Sequence, residues 1–215
     1  MVAPDMMHTR TGFDLANMVG YQIGKYRDNL ILTRRSGSVL SELRQLSAKD
    51  LIERGADWIL FIDSDMGFPK DALQRLIEHD VDVVAANCCK RQRPVGVTAK
   101  VMNPANGMLE PIWPDKDKHG LERVDAIGTA FMLIKASVFQ RIGWPWFMQP
   151  WIEEQQSWVG EDIFFCRRCY EAGIPIYTDH DLSWEIDHVG AYPYSMKDAL
   201  AERQLVESGA WQGVG

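Results

Sequence analysis

Two acidic pairs and one late histidine are the residues whose types and spacing could support chemistry. Asp63 and Asp65 follow the apolar run of residues 58–62. In an extended chain, side chains two positions apart point the same way, so both carboxylates can converge on one ligand. Paired carboxylates repel each other, and a bound divalent cation relieves that repulsion. The stretch therefore predicts a metal site at the end of a buried strand. A cap for the helix expected near Pro69 is the alternative.

A second acidic pair and the histidine extend this pattern. Glu161 and Asp162 follow Gly160 at the predicted start of a helix, and His188 lies in a predicted strand. Acids with one imidazole form an oxygen-rich site that suits Mn²⁺ or Mg²⁺ holding a diphosphate. Helix capping by the acids, and a buried histidine bonded to backbone, are alternatives that the sequence also permits. Glycine-rich phosphate or dinucleotide loops and a G-x-S-x-G elbow are absent from the sequence, which removes the main support for those enzyme classes.

The composition indicates one ordinary globular domain. The chain has 215 residues, of which 46% are hydrophobic and 25% charged, enough for one sizeable core. Its formal net charge of −7 argues against a protein built to bind nucleic acid. No apolar run is long enough for a transmembrane segment, and the first ten residues lack the layout of a signal peptide. We therefore expect a cytoplasmic protein.

Helical and extended patterns alternate along the first 90 residues. Strands are predicted at residues 1–3, 29–33, 57–62 and 81–86, with amphipathic helices between them. This alternation is typical of an α/β fold with a mainly parallel, doubly wound central sheet flanked by helices. In such sheets ligands bind beyond the carboxyl ends of the strands, where Asp63 and Asp65 would lie. A late strand is predicted at residues 182–189 and a final helix at about 195–208.

Large aromatic side chains crowd one irregular segment. The rings belong to Trp144, Trp146, Phe147, Trp151 and Trp158. They could shield an edge of the core, or they could form a binding wall, because the flat C–H faces of sugar rings stack well on indole. The sequence leaves both interpretations open.

The four cysteines, Cys88, Cys89, Cys166 and Cys169, could suggest a zinc site. Adjacent cysteines do not match the usual C-x-x-C spacing, and the second pair falls in a helical pattern. Buried free thiols in a reducing compartment are the expectation.

In their order along the chain, these motifs resemble those of the GT-A glycosyltransferases, especially small family-2-like enzymes of bacteria and phages. The resemblance covers residues 38–190. It rests on the strand ending in Asp63-Ser64-Asp65, the Gly-Thr-Ala-Phe-Met-Leu segment at 128–133, the Gly-Glu-Asp at 160–162 and the His-Val-Gly at 188–190. It implies the GT-A, or nucleotide-diphospho-sugar transferase, fold in one domain over residues 1–215. The nucleotide-binding half would span about 1–90 and the acceptor half about 91–190.

The resemblance also implies roles for individual residues. Asp65 matches the metal ligand, and Asp63 matches a residue contacting the nucleotide ribose or the metal. His188 matches a late histidine that completes the metal site. Glu161 and Asp162 match an acidic pair in which one carboxylate, more often the aspartate, is the catalytic base.

Two further residues are assigned to the nucleotide sugar. Arg44 matches an arginine near the nucleotide in related enzymes, and Trp158 of the aromatic segment is assigned to donor binding. The short predicted strand at residues 1–3 departs from the longer opening strand that is usual for this fold.

The implied function is a metal-dependent hexosyltransferase-like glycosyltransferase that uses Mn²⁺ or Mg²⁺. It would move a sugar from a nucleoside diphosphate sugar, with a UDP-sugar favoured, to a hydroxyl of a carbohydrate or other acceptor, with inversion. A nucleotidyltransferase of related fold is one alternative. A protein that binds a nucleotide sugar or a glycan without catalysis is another.

Overall fold

The computed structural model of the chain describes residues 7–27, 29–190 and 194–208. Its helices are α1 (Thr9–Tyr26), α2 (Leu40–Glu53), α3 (Ala72–Glu78), α4 (Ala136–Ile142), α5 (Glu161–Glu171), α6 (His180–Ser183) and α7 (Met196–Glu207). Its strands are β1 (Trp58–Ile62), β2 (Met66–Gly67), β3 (Val83–Ala86), β4 (Lys100–Met102), β5 (Leu109–Pro111), β6 (Leu121–Val124), β7 (Phe131–Lys135), β8 (Trp151–Ile152), β9 (Ser157–Trp158), β10 (Ile176–Asp179) and β11 (Asp187–His188). The strand predicted at 57–62 and the final helix are thereby confirmed. No helix in these described ranges combines the length and apolar character needed to cross a bilayer.

A five-stranded sheet with the order β1-β7-β3-β10-β6 forms the centre of the molecule. Helices cover both of its faces. One face carries a core cluster to which α2, α4 and α5 contribute Leu51, Phe139 and Phe165. The other carries a second cluster to which α1 and α3 contribute Met18 and Leu76. The resulting three-layer arrangement confirms the α/β class and explains why β1 and β3 are apolar on both sides.

The strand directions correct one part of the prediction, because the sheet is mixed rather than mainly parallel. Strands β3 and β10 are parallel, whereas β1 with β7, β7 with β3 and β10 with β6 are antiparallel. Since β1 and β3 are both antiparallel to β7, they do point the same way. Alternating helices and strands predicted that shared direction, but they carry no information about a later strand inserted between the two.

Two segments predicted to be strands have other structures. Residues 29–33 belong to no named strand, and Leu32 in the middle of this apolar run is 62% exposed. The second is the segment at 182–189. Just before it, Asp179 Oδ1 accepts a hydrogen bond of 2.8 Å from the Leu182 amide. This cap starts the short helix α6 and leaves only β11 as strand. The strand predicted at residues 1–3 lies outside the described residues.

A third core cluster joins α7 to the segment after β3. Cys89, Val95 and Val97 pack there against Met196 and Ala199 of α7. All four cysteines of the chain are free and buried, as expected for thiols that pack as apolar side chains in a core.

Candidate active site

Backbone hydrogen bonds hold the Asp63-Ser64-Asp65 segment at the edge of the sheet. At the end of β1, the Asp63 amide donates to the Ala130 carbonyl at 2.9 Å. Strand β2 pairs with β11, and the Val189 amide donates to the Asp65 carbonyl at 2.7 Å. This pairing brings His188, far along the chain, next to the acidic segment. Neither aspartate caps α3, whose capping position is Asp71.

Asp65, His188 and Arg91 meet at a single carboxylate oxygen. Asp65 Oδ2 lies 3.4 Å from His188 Nε2 and 3.1 Å from Arg91 Nη1. On the other side of the imidazole, His188 Nδ1 lies 2.8 Å from the Cys89 carbonyl oxygen. Because a carbonyl only accepts, Nδ1 carries the hydrogen. Nε2 is therefore the nitrogen that faces Asp65, and it is the one that would ligate a metal ion.

The charges in this cluster shift both pKa values. Burial raises the pKa of Asp65, but the hydrogen bond from His188 and the charges of His188 and Arg91 outweigh it and place that pKa below its ordinary value. Burial lowers the pKa of His188, but its hydrogen bonds with Asp65 and the Cys89 carbonyl outweigh it and raise that pKa. Both shifts favour the charged forms, so the two residues attract each other electrostatically.

The donor set fits a divalent cation bound through two protein ligands. Asp65 offers a carboxylate oxygen and His188 an imidazole nitrogen, both acceptable to Mn²⁺ and the oxygen also to Mg²⁺. Within the described parts of the chain, no group of three or more histidine, cysteine, aspartate or glutamate residues could enclose a metal. A cation here would take its remaining ligands from water and from the phosphates of a substrate.

Arg44 joins two of the predicted site carboxylates. Its side chain, on α2, is only 3% exposed. Nη2 donates to Asp63 Oδ1 at 2.8 Å, and Nη1 donates to Glu161 Oε1 at the start of α5. Burial raises the pKa of Glu161, and this effect exceeds the opposing attraction of Arg44. The Glu161 carboxylate thus pairs with the Arg44 guanidinium, and it makes no side-chain cap for α5.

Asp162 lies beside this ion pair, in the first turn of α5. Its Oδ1 accepts from the Ile163 amide at 2.7 Å, while the capping position of the helix is Gly160. A Cβ atom at Gly160 would lie 2.5 Å from the same oxygen. The carboxylate can occupy this position only because residue 160 is glycine.

The aromatic segment divides between the core and the surface. Phe147 is fully buried and stacks on Phe165, with ring centroids 5.1 Å apart. Trp146 donates its indole N–H to the Phe139 carbonyl at 2.8 Å. Trp158, in contrast, is 69% exposed. Some of these rings therefore shield the core, while others remain available to a ligand.

Trp158 lies on the hairpin formed by β8 and β9. Its ring contacts Trp151 edge to face, with centroids 5.4 Å apart at an interplanar angle of 64°. Trp151 is itself 41% exposed and donates its indole N–H to Glu153 Oε2 at 2.6 Å. The hairpin thus presents two partly exposed indoles and a carboxylate, groups that can stack on and hydrogen-bond a sugar.

Helix α1 packs against the turn that follows Asp65. The Phe68 amide donates to Asp14 Oδ2 at 3.1 Å, and Arg10 Nη2 lies 2.6 Å from Asp187 Oδ2. The guanidinium of Arg10 covers Gly67, where a Cβ would lie 2.7 Å from Arg10 Cζ. This packing supports β2 and β11, and through them Asp65 and His188.

Sequence reasoning assigned no role to Arg91 or Arg10. A signal for Arg91 did exist, because Lys90, Arg91 and Arg93 follow β3 directly. Since β1 and β3 point the same way, residues after β3 lie at the same sheet edge as Asp63 and Asp65. Arg10 had no such signal. It reaches the site because α1 packs against β2 and β11, and local sequence pattern does not show where a helix packs.

No protein family model matches the chain, and no curated protein sequence matches it. Solved structures do resemble it. A197 from STIV superposes with a TM-score of 0.56 at 16% identity, covering 92% of this chain and 89% of that one. GalNAc-T7, crystallised with UDP, GalNAc and Mn²⁺, superposes with a TM-score of 0.50 at 13% identity over 95% of this chain. The chain spans 41% of the GalNAc-T7 chain.

At these identities the likeness shows the fold alone. The chain has the mixed α/β fold of the GT-A glycosyltransferases, as its motifs predicted.

Proposed function

We propose that the chain is a metal-dependent glycosyltransferase. It would transfer a sugar from a nucleoside diphosphate sugar, with a UDP-sugar favoured, to a hydroxyl of a carbohydrate or other acceptor. The observation that carries the proposal is the pair of Asp65 and His188, 3.4 Å apart and next to the cluster of Asp63, Arg44 and Glu161. Both groups lie at the edge of a sheet of the GT-A type.

In this proposal Asp65 and His188 hold the cation. Mn²⁺ or Mg²⁺ bound there would neutralise the charge that develops on the departing diphosphate. His188 Nδ1 donates to a backbone carbonyl, so its ring is held with Nε2 toward the ligand. Asp63, oriented by Arg44, would accept hydrogen bonds from the ribose or assist the cation. The nucleotide would lie on the half formed by residues 1–90, within a single domain over residues 1–215.

Asp162 is the proposed catalytic base. Of the two adjacent acids, Glu161 is held in the buried ion pair with Arg44, so its carboxylate is not available to an acceptor hydroxyl. Asp162 is not part of that ion pair, and it lies beside it in the first turn of α5. It would remove the proton of the acceptor hydroxyl as that oxygen attacks the anomeric carbon, which gives inversion of configuration.

Trp158 and the acceptor side belong to the half formed by residues 91–190. The exposed indoles of the β8–β9 hairpin would stack on sugar rings of the donor or acceptor. The four buried free thiols suit a reducing compartment, and we place the activity in the cytoplasm.

Calorimetric titration and donor turnover test the proposal. We expect the protein to bind UDP in the presence of Mn²⁺, and Asp65→Asn to weaken that binding by about tenfold or more. Asp162→Asn should bind the donor as the parent chain does, while its turnover falls by about a hundredfold or more. Thermal unfolding of each variant provides the control for folding. Indifference to every nucleotide sugar, with and without Mn²⁺ or Mg²⁺, would contradict the proposal.

A further inference from the structure

We propose that Arg91 serves as an exchangeable counterion, pairing with Asp65 in the empty site and with the diphosphate in the loaded one. This inference rests on the proposed function. Its starting point is the 3.1 Å contact between Arg91 Nη1 and Asp65 Oδ2. The same oxygen faces His188 Nε2 at 3.4 Å. A cation ligated by Asp65 Oδ2 and His188 would therefore compete with the guanidinium for this oxygen.

The Arg91 side chain is free to make that move while its backbone is held. The side chain is 49% exposed, so about half of it contacts solvent. The turn beneath it is closed by the Lys90 amide, which donates to the Gly96 carbonyl at 2.8 Å, and by the bridge between Cys89 and Val97. Because the backbone is held and the side chain is long and half-exposed, the guanidinium can change position without moving the loop.

Helix α7 anchors the other side of the same loop. Arg93 Nη1 lies 2.5 Å from Glu202 Oε1 of α7, and that glutamate is only 2% exposed. Val95 and Val97 are buried against the same helix. These contacts with α7 do not involve Arg91, so we expect the loop to keep its conformation whichever partner Arg91 binds.

The other arginines at the site are committed elsewhere. Arg44 is 3% exposed and bridges Asp63 and Glu161. Arg10 lies 2.6 Å from Asp187. Moving either guanidinium would leave carboxylates without their partners, at a cost that grows with burial. Of the three arginines, Arg91 would lose least on moving, because a metal ion bound to Asp65 would replace it as the partner of that carboxylate.

The chemistry of the exchange conserves charge pairing in both states. Without a cation, Arg91 offsets the charge of Asp65. When a divalent cation with a nucleoside diphosphate occupies the site, the released guanidinium can donate two parallel hydrogen bonds to phosphate oxygens. The positive charge then stands where negative charge develops on the leaving group. No covalent bond to Arg91 forms or breaks.

Opposite effects on two ligands are the signature of this exchange. Arg91→Gln removes the competitor for Asp65, so Mn²⁺ alone should bind about threefold to fivefold more tightly, as expected for loss of a half-exposed ion pair. The same variant should bind UDP, at saturating Mn²⁺, about tenfold more weakly, because it loses a charge-assisted contact to the phosphates. Titration of both ligands by calorimetry measures the two constants. Uridine, which has no phosphate, should bind both proteins equally.

Arg167→Gln is the matched control. It removes the same charge from the outer face of α5, where Arg167 is 71% exposed and pairs with Glu171, and it should change neither constant. If Arg91→Gln weakened Mn²⁺ and UDP by the same factor, Arg91 would be a structural support and the exchange would be wrong. If UDP affinity were unchanged, the exchange alone would be overturned and the proposed function would stand. A parent chain that bound Mn²⁺ but no nucleoside diphosphate would overturn both.

Discussion

Arg44 of α2 and Glu161 of α5 form a buried ion pair, although 117 positions separate them in the sequence. The pair joins a helix of the predicted nucleotide half to the acidic motif of the predicted acceptor half. Arg44 also holds Asp63, so one side chain orients two of the proposed site residues. Stability and site geometry are therefore coupled at this position.

Removing Arg44 should destabilise the fold. Arg44→Met leaves Asp63 and Glu161 without their cation, and we expect it to reduce the free energy of unfolding by about 3 kcal/mol. Urea unfolding measures this change. Lys49→Met, on the exposed side of the same helix, where its side chain is 57% exposed, is the control and should stay within about 0.5 kcal/mol of the parent chain.

A double variant identifies the cause of that loss. Arg44→Met combined with Glu161→Gln should recover part of the free energy, because the buried negative charge at residue 161 is then removed. Equal losses in the single and double variants would show that the lost packing of Arg44, and not the unpaired charge, is responsible.

Gly160→Ala should impair turnover with little effect on the fold. The backbone there, with φ −62° and ψ 148°, accepts alanine, but the new methyl group would lie 2.5 Å from Asp162 Oδ1 and would displace that carboxylate. We expect kcat to fall by about tenfold through loss of alignment. Steady-state kinetics with donor and acceptor give kcat, and calorimetry should show unchanged donor affinity.

Gly20→Ala is the matched glycine control, since a Cβ there meets no atom within 4 Å. It should leave kcat unchanged. Unaltered kcat in Gly160→Ala would argue against Asp162 as the base.

Trp158 and Phe147 should respond in opposite ways to truncation. Trp158 is 69% exposed, so Trp158→Ala should change the free energy of unfolding by less than about 1 kcal/mol while weakening sugar binding. Phe147→Ala should cost about 3 to 5 kcal/mol, because its ring is fully buried against Phe165. Urea unfolding and KM for donor and acceptor separate the two roles. Unchanged KM values in Trp158→Ala would remove Trp158 from the binding wall.

The pair of His119 and Asp181 predicts a local pH dependence. His119 Nδ1 lies 2.7 Å from Asp181 Oδ1, and that hydrogen bond, reinforced by Coulomb attraction, raises the pKa of His119. The same pairing lowers the pKa of Asp181. Stabilisation by the charged histidine is present below its unfolded pKa and is lost as pH rises through the higher folded pKa. It is also lost at acidic pH, as Asp181 becomes protonated at its own folded pKa.

Nuclear magnetic resonance titration of the His119 ring measures the first shift. In Asp181→Asn the pKa of His119 should return toward about 6.5, the value of an unperturbed histidine. The stability difference between Asp181→Asn and the parent chain should be larger near pH 5 than near pH 8. A His119 pKa that is the same in both proteins would contradict the pairing.

Local sequence pattern determined several features of this protein. The apolar run ending in Asp63 and Asp65 predicted β1, because a strand buried on both faces requires continuous apolar side chains. Gly160 followed by two acids predicted the start of α5. These features depend on residues close together in the chain, so periodicity and residue type are enough to find them.

Contacts between distant segments were decided only by the tertiary structure. The insertion of β7 between β1 and β3 changed a mainly parallel sheet into a mixed one. The pairing of β2 with β11 brought His188 to Asp65, and the sheet edge brought Arg91 to the same oxygen. The packing of α2 and α5 on one face of the sheet brought Arg44 to Glu161.

None of these partners is specified by local pattern, because a charged side chain in a sequence looks the same whether it faces solvent or a distant carboxylate. The residue types thus determined which groups were available, namely carboxylates, guanidinium groups and an imidazole. Long-range packing decided which carboxylate meets which cation.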